Sequence, residues 1–451
     1  LSVFRAGFTR EAAQQVAGAS LQQLAELVNK SFLSHDPNSG RFEVHELLRQ
    51  YAQEQLEETP EASVSAQEAH AAYYAAFMQR KGGHLRGKRQ MLVLAEIEAD
   101  IENVRAAWRY YLDQRNSSQM WKFIISLWHV YWIRWWNYAG MELFAEAVRE
   151  LQGEDDEESV ALRALAMAYQ GYFMAWLGLS DQGYELAEQG VEILQTHDRP
   201  EALVFAYYSL SVNGYFLGRM TEEIEAINNM LKITTELGDK WLIAFTLFVA
   251  GMIALIEGDY VEARRLAEWN LTLYEEIGDV SGSTMPLIVM GHAALARGEY
   301  KEAREYYLRC LKLSEEVGFH FSIQTSSKYL GKVALSTGNT TEAENYLLQC
   351  LTITKEIGFV RDIVNLLYEF ARLRVAQDNS EQAAELLALV LQHPASDQVR
   401  WLEGRISDSA ESLLAKLEDE LPREIYTAAL ERGQELKLEN VVTALIGAKD
   451  F

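Results

Sequence analysis

Through the second half of the chain, apolar positions recur at the spacing of an amphipathic helix, as in Leu266, Leu271 and Leu273 or Tyr306, Leu308 and Leu311. Glycines punctuate these stretches in a fixed register. Gly178, Gly218, Gly258, Gly298 and Gly338 fall 40 residues apart, and Asp378 takes the sixth place. Only 28 of 451 residues are glycine, so the register is not chance. Seven residues before each of these positions stands a small residue: Gly171, Ser211, Gly251, Gly291, Gly331 and Ala371. A second series lies midway, at Gly238, Gly278, Gly318 and Gly358. Glycine just past a helix end supplies a left-handed cap, and a small residue inside a helix lets a neighbour come close. The pattern predicts a stack of helical hairpins, two helices of about 16 residues to each 40-residue unit. Proline is scarce, at six residues, as uninterrupted helices require.

Residues 1–57 have another rhythm. Thr9 and Ser20 are placed to cap two short helices, ending near Ala17 and Asn29. Strand-like runs at Ser31–His35 and Arg41–Val44 flank the turn Pro37-Asn38-Ser39-Gly40, and a third helix runs from His45 to about Leu56. Helix, helix, hairpin, helix is the order of a winged helix. Its second helix carries Glu26 and no basic residue before Lys30, which argues against a role in the DNA major groove. Residues 58–66 read as a linker. Trp128, Trp132, Trp135 and Trp136 read as one helical stripe in the core, where a connecting arm meets the first repeat.

A net charge of −25 argues against sequence-independent nucleic-acid binding and against anionic membranes. Cys310 and Cys350 stand one period apart and read as buried thiols in a reducing cytoplasm. The aromatic run Trp121 to Trp136 is broken by Lys122, His129 and Arg134 and is short for a membrane span. The basic stretch from Arg80 to Arg89 reads as a solvated loop. Glutamate pairs such as Glu275-Glu276 and Glu315-Glu316 read as solvated surface. No constellation of catalytic or metal-ligand spacing stands out, and no Gly-x-x-x-x-Gly-Lys-[Ser/Thr] loop occurs. The chain opens on Leu1 without Met, as expected of a piece of a longer protein.

Gly258-Asp259-Tyr260 with Ala263, and Gly298-Glu299-Tyr300 with Ala303, resemble the tetratricopeptide repeat, in a form longer than the usual 34 residues. Tyr138-Ala139-Gly140 with Ala145 resembles a degenerate first unit. Upstream, Leu1-Ser2-Val3-Phe4, Gly7-Phe8-Thr9 and the run from Phe42 to Ala52 look like the winged-helix segment of the signal-transduction ATPases with numerous domains. Glu98-Ala99-Asp100-Ile101-Glu102-Asn103-Val104 and the tail around Ala428–Gly433 resemble later parts of the bacterial members. The resemblance implies an all-α chain: a winged-helix domain over 1–57, a helical connector with a degenerate repeat over 58–150, a right-handed tetratricopeptide-like solenoid over 151–393 and a helical cap over 394–451. It implies that His45 stands where the family's histidine meets the β-phosphate of ADP, although Val44 and Glu46 depart from the family's Met-His-Asp. The bland alternative is that His45 only begins a helix. ADP or ATP would belong to the parent protein, with no cofactor in this piece.

In such repeats the first helix of each unit lines the inner wall. That places Tyr172, Phe205, Tyr208, Tyr215, Phe248 and Met252 on an aromatic and apolar half. It places His292, Lys328, Lys332, Asn365, Tyr368 and Arg372 on a basic and polar half, suited to carboxylates or an acidic peptide. The expected function is a non-enzymatic sensor. The repeats bind a protein, peptide or small-molecule inducer, and the winged helix relays this to a nucleotide-binding domain. A constitutive interaction scaffold and a DNA-binding regulator are the rivals.

Overall fold

A computed structural model describes residues 1–397, 399–400 and 404–447. They form two compact units: residues 1–130 with 144–166, and residues 131–143 with 167–451.

The first unit opens with β1 (Gly7–Phe8), α1 (Arg10–Ala17), α2 (Leu21–Asn29), β2 (Leu33–Asp36), β3 (Arg41–Val44) and α3 (Glu46–Glu57). The predicted order of helix, helix, hairpin and helix is present. Thr9 Oγ1 accepts from the Ala12 amide at 3.1 Å, and Ser20 and Gln23 form a reciprocal capping box. The strand β1, too short to carry any periodicity, pairs antiparallel with β3 and completes a sheet of order β1-β3-β2. Phe8 stacks on Phe4 with ring centroids 4.4 Å apart.

Residues 58–66 are not a linker. Pro60 is the first residue of a long helix, α4 (Pro60–Gly82), because the first turn needs no proline N–H. It is followed by α5 (Gln90–Ala99), α6 (Ile101–Asp113) and α7 (Ser117–Met120). The basic stretch is only partly a solvated loop: Arg80 and Lys81 belong to α4, Lys81 pairs with Glu96, and Leu85 is buried.

A buried polar cluster ties the amino-terminal module to α4 and α6. Asp100 accepts from both terminal guanidinium nitrogens of Arg41 at 3.1 and 2.8 Å, from the Tyr74 hydroxyl at 3.0 Å and from Asn103 Nδ2 at 3.0 Å. Asn103 also donates to the Gly7 carbonyl at 2.9 Å and accepts from the Arg5 amide at 2.6 Å. Beside it, burial pushes the His70 imidazole down to about 4.

Residues of α8 (Ile124–Arg134), α9 (Asn137–Glu150) and α10 (Glu157–Trp176) contribute to both units. In the second unit the hairpins continue in strict alternation: α11 (Ser180–Leu194), α12 (Pro200–Leu217), α13 (Met220–Leu237), α14 (Lys240–Ile256), α15 (Tyr260–Ile277), α16 (Val280–Ala296), α17 (Tyr300–Val317), α18 (His320–Ser336), α19 (Thr340–Ile357), α20 (Val360–Ala376) and α21 (Ser380–Gln392). A short 3-10 turn (Pro394–Asp397), a two-stranded hairpin of β4 (Val399–Arg400) and β5 (Gly404–Arg405), and helices α22 (Ile406–Glu420), α23 (Arg423–Glu435) and α24 (Leu438–Gly447) follow.

The glycine register is a register of left-handed turns. Gly298 has φ 76°, and Asp378, sixth in the series, adopts the same region at φ 59°. The small column marks the closest helix approach. A Cβ on Gly291 would lie 2.5 Å from the Tyr307 ring, and one on Gly331 would lie 2.9 Å from Leu347. Neighbouring hairpins are also joined by polar contacts at a constant offset of 38 residues. Trp241 Nε1 donates to Asp279 at 2.6 Å, Arg264 pairs with Glu302 at 2.7 Å and Arg304 with Glu342 at 2.6 Å. The glutamate pairs are not merely solvated, since Arg309 reaches back to Glu275 at 2.6 Å. Each exposed pair contributes little singly. Both cysteines are buried, and burial pushes the Cys310 thiol up to about 12.

The degenerate unit differs from expectation. Gly140 lies inside α9, where a Cβ would meet the Phe173 ring at 2.6 Å. The left-handed turn preceding α9 falls at Trp135, with φ 58°.

Two outcomes follow from this packing. Gly291→Ala should lower stability by about 1–3 kcal/mol, because the Tyr307 ring must shift, and thermal melting followed by circular dichroism measures it. Glu223 is 2% exposed, and burial raises its carboxyl to about 8. The unfolded chain loses this proton from about pH 4.5, the folded chain only near 8, so stability should fall as pH rises through that window. Glu223→Gln should flatten that slope in melts taken across it.

Candidate ligand-binding cavity

The first helix of each hairpin faces inward, and together these helices line a partly open cavity of ≈ 110 Å³ in the second unit. Tyr172 and Trp176 come from α10, Tyr208 and Phe216 from α12, Phe248 and Met252 from α14. Ile288 and His292 come from α16, Phe321, Gln324 and Lys328 from α18, and Arg361 and Asp362 from α20. Successive helices present side chains one 40-residue period apart, so one cavity touches every hairpin.

Trp132 and Trp135 also line the cavity, and they come from outside the glycine register. The Trp132 ring lies 4.8 Å from Phe319. Trp135 stacks on Phe321 at 4.9 Å and 16°, and lies 4.9 Å from Trp176 and 5.8 Å from Phe359. A bulky residue in the left-handed region costs on the order of 1–3 kcal/mol. Burial among three aromatic rings offsets it. Between the two indoles, Arg134 donates to the carbonyls of Val317 and Gly318 at 2.6 and 3.0 Å. Those carbonyls end α17, where the helix dipole favours a cation.

The charge at this cavity is local and mostly positive. The Arg361 guanidinium lies 4.1 Å above the Phe216 ring, and Lys328 Nζ lies 4.6 Å from the Tyr329 ring. Asp362 is the one acidic lining residue, and Gln324 Nε2 donates to it at 3.3 Å. His292 Nδ1 lies 2.5 Å from the Tyr307 hydroxyl. Burial, and then the neighbouring Tyr208, raises the Tyr172 hydroxyl well above its ordinary range.

The tetratricopeptide repeat family matches residues 285–356 of the chain. No curated protein matches the sequence. Among solved structures, a signal transduction ATPase with numerous domains and a tetratricopeptide repeat sensor, from Pyrococcus horikoshii, is 15% identical with a TM-score of 0.57. That match covers 99% of this chain and 64% of the other, so the chain spans less than two thirds of that protein's length. A Rap protein complexed with competence and sporulation factor is 14% identical over 78% of this chain and 100% of its own, with a TM-score of 0.48. NprR in complex with its cognate peptide NprX is 15% identical over 78% and 94%, with a TM-score of 0.46. At such identities the first of these likenesses shows a fold. The fold is an all-α stack of tetratricopeptide-like hairpins.

Of the predicted inner-wall residues, Tyr172, Tyr208, Phe248, Met252, His292 and Lys328 line the cavity. The others do not. Phe205 is buried between helices, 5.7 Å from Tyr169 and 5.9 Å from Phe245. Tyr215 and Asn365 are buried away from the cavity, and Tyr368 packs on the core that α20 shares with the carboxy-terminal helices. Lys332 and Arg372 do not form a cationic wall, because both pair with Glu369, at 3.4 and 2.7 Å. That carboxylate is 1% exposed and needs both partners. His45 stands exposed at the amino-terminal end of α3 in the first unit, and its side chain makes no capping bond.

The tryptophans do not form one stripe. Trp128 belongs to the first unit, Trp132 and Trp135 to the second, and the helix ends between the last two. A signal for their docking exists. The residue that caps α14 and α16 is aspartate, Asp239 and Asp279, but one and two periods on it is Phe319 and Phe359, which make no capping bond. Caps worth about 1 kcal/mol each give way to ring contacts with the inserted indoles.

The Glu369 pairing yields a concrete outcome. Lys332→Glu with Arg372→Glu leaves three carboxylates together, one of them buried, and should cost at least ~3 kcal/mol. A lowered melting temperature checks this, and an unchanged one would mean that the pair carries no structural role.

Proposed function

We propose that this chain is the sensor and regulatory portion of a signal-transduction ATPase with numerous domains. The observation that carries the reading is the inward cavity lined by the first helices of consecutive hairpins. A ligand there contacts units whose curvature is set only by their neighbours, and it can bias that curvature by its differential affinity for two shapes. The inducer would be a small molecule, a peptide or a segment of a protein. The amino-terminal module has the element order of a winged helix, and its α3 leaves Leu47 and Tyr51 on the surface, 70% and 62% exposed. Such an apolar face suits docking on a nucleotide-binding domain. His45 stands exposed at the start of that helix with no capping bond, which leaves its imidazole available to the β-phosphate of ADP in the assembled protein. In this reading ATP chemistry belongs to that domain, and the assembly acts in the cytoplasm. Among the described residues no helix is long and apolar enough to cross a membrane.

The cavity reading is tested by filling it. Ile288→Trp should leave helicity and the basal nucleotide turnover of the full ATPase unchanged while abolishing its response to inducer. A response equal to that of the parent protein would remove the cavity from the mechanism. A constitutive scaffold would instead bind its partner with no change in small-angle scattering.

A further inference from the structure

We infer that the cavity selects an uncharged aromatic ring, clamped among Trp176, Phe216 and Phe321. The assignment rests on the sensor reading above and names the ligand class for that site. The three rings come from α10, α12 and α18, and all of them line the cavity. Each is only half-buried and so keeps accessible surface for a guest. Trp176 joins them. Its ring lies 5.3 Å from Phe216 and 5.8 Å from Phe321, edge-on to both at 83° and 69°. Trp135, stacked on Phe321, and Tyr172, 6.4 Å from Trp176, extend the aromatic wall. Ring pairs at such separations attract beyond their buried area, by about two- to tenfold in affinity for each pair, and a saturated guest forgoes this. The space, ≈ 110 Å³, is of the order that takes one ring, since an apolar cavity of about 150 Å³ accepts benzene. The cavity is partly open, so a substituent on that ring has a way out.

The charged residues of the wall do not call for a charged guest. Lys328 Nζ lies 4.6 Å from the Tyr329 ring, and the Arg361 guanidinium 4.1 Å from the Phe216 ring. Asp362 takes a hydrogen bond from Gln324 at 3.3 Å. Both signs are present, and each is engaged within the protein. An entering carboxylate would meet Asp362, and an entering ammonium would meet Arg361 and Lys328. Either would give up its hydration among aromatic rings. An uncharged π system avoids that cost. Its negative face suits the cations and its positive edge suits the carboxylate, so one flat guest matches a wall of mixed sign. A free ring compound and the aromatic side chain of a peptide present the same chemistry to this wall.

The test is isothermal titration calorimetry on the full chain with four probes: p-cresol, its saturated counterpart 4-methylcyclohexanol, N-acetylphenylalanine amide, and 3-phenylpropanoate. p-Cresol and the blocked phenylalanine should bind saturably, with 4-methylcyclohexanol and 3-phenylpropanoate weaker by about tenfold. Tighter binding by the blocked phenylalanine identifies a peptide side chain as the source; tighter binding by p-cresol identifies a free compound. Phe216→Leu and Phe321→Leu each keep apolar bulk and delete one ring. Each should weaken both aromatic probes about threefold while leaving 4-methylcyclohexanol unaffected, and unchanged near-ultraviolet dichroism and melting verify folding. If 4-methylcyclohexanol binds as tightly as p-cresol, or both variants bind p-cresol as the parent does, the ring assignment is overturned and the cavity reading stands. If 3-phenylpropanoate binds as tightly as the uncharged rings, the selection against charge is overturned. If no probe binds, the ring assignment and the cavity reading both fall.

Discussion

Where Gly291 faces Tyr307, two helices of one hairpin approach so closely that a single methyl group would sit 2.5 Å from the ring. That contact, repeated at Gly331 against Leu347, fixes which face of each first helix turns toward its own partner. The opposite face then turns inward. Because the left-handed residue recurs every 40 positions, all first helices turn the same way, and their side chains converge on one space. The cavity is thus a product of the register. Polar ties at a 38-residue offset keep neighbours aligned, as between Trp241 and Asp279 or Thr284 and Ser322.

The first unit is held by different physics. Its amino-terminal module has a small apolar centre around Phe4 and Phe8, and α3 buries no residue fully. A buried carboxylate at Asp100 substitutes for area. Four donor atoms converge on it, and Asn103 extends the network to the backbone at Arg5 and Gly7. Such clusters fix a unique arrangement only when every member is satisfied.

Regular elements were legible because their signals are local. Caps at Thr9 and Ser20, the turn before Arg41 and the glycine register each act within a few residues, and the helices begin and end close to where those signals place them. The first strand escaped because two residues hold no period. The cavity was half legible. Tyr172, Tyr208, Phe248, Met252, His292 and Lys328 follow from the inner column alone. Lys332 and Arg372 share that column but answer a buried Glu369, a contact that depends on depth and not on spacing. Trp135 was hidden because it occupies a turn where every other unit but one uses glycine, 43 positions before Gly178 and not 40. The exchange of Asp239 and Asp279 for Phe319 and Phe359 was visible in the sequence, yet it has meaning only once their aromatic partners are known.

The contribution of residues 131–143 to the second unit changes how this molecule can be divided. Cutting at the apparent start of the repeats, near residue 151, would sever Trp132, Arg134 and Trp135 from the helices they touch. The remainder would keep its hairpins, but Phe319 and Phe359 would lose the indoles that pack on them, with no capping bond in exchange. A domain boundary drawn from periodicity alone would therefore strip two lining indoles from the cavity, and the isolated array would expose apolar surface that its native chain covers.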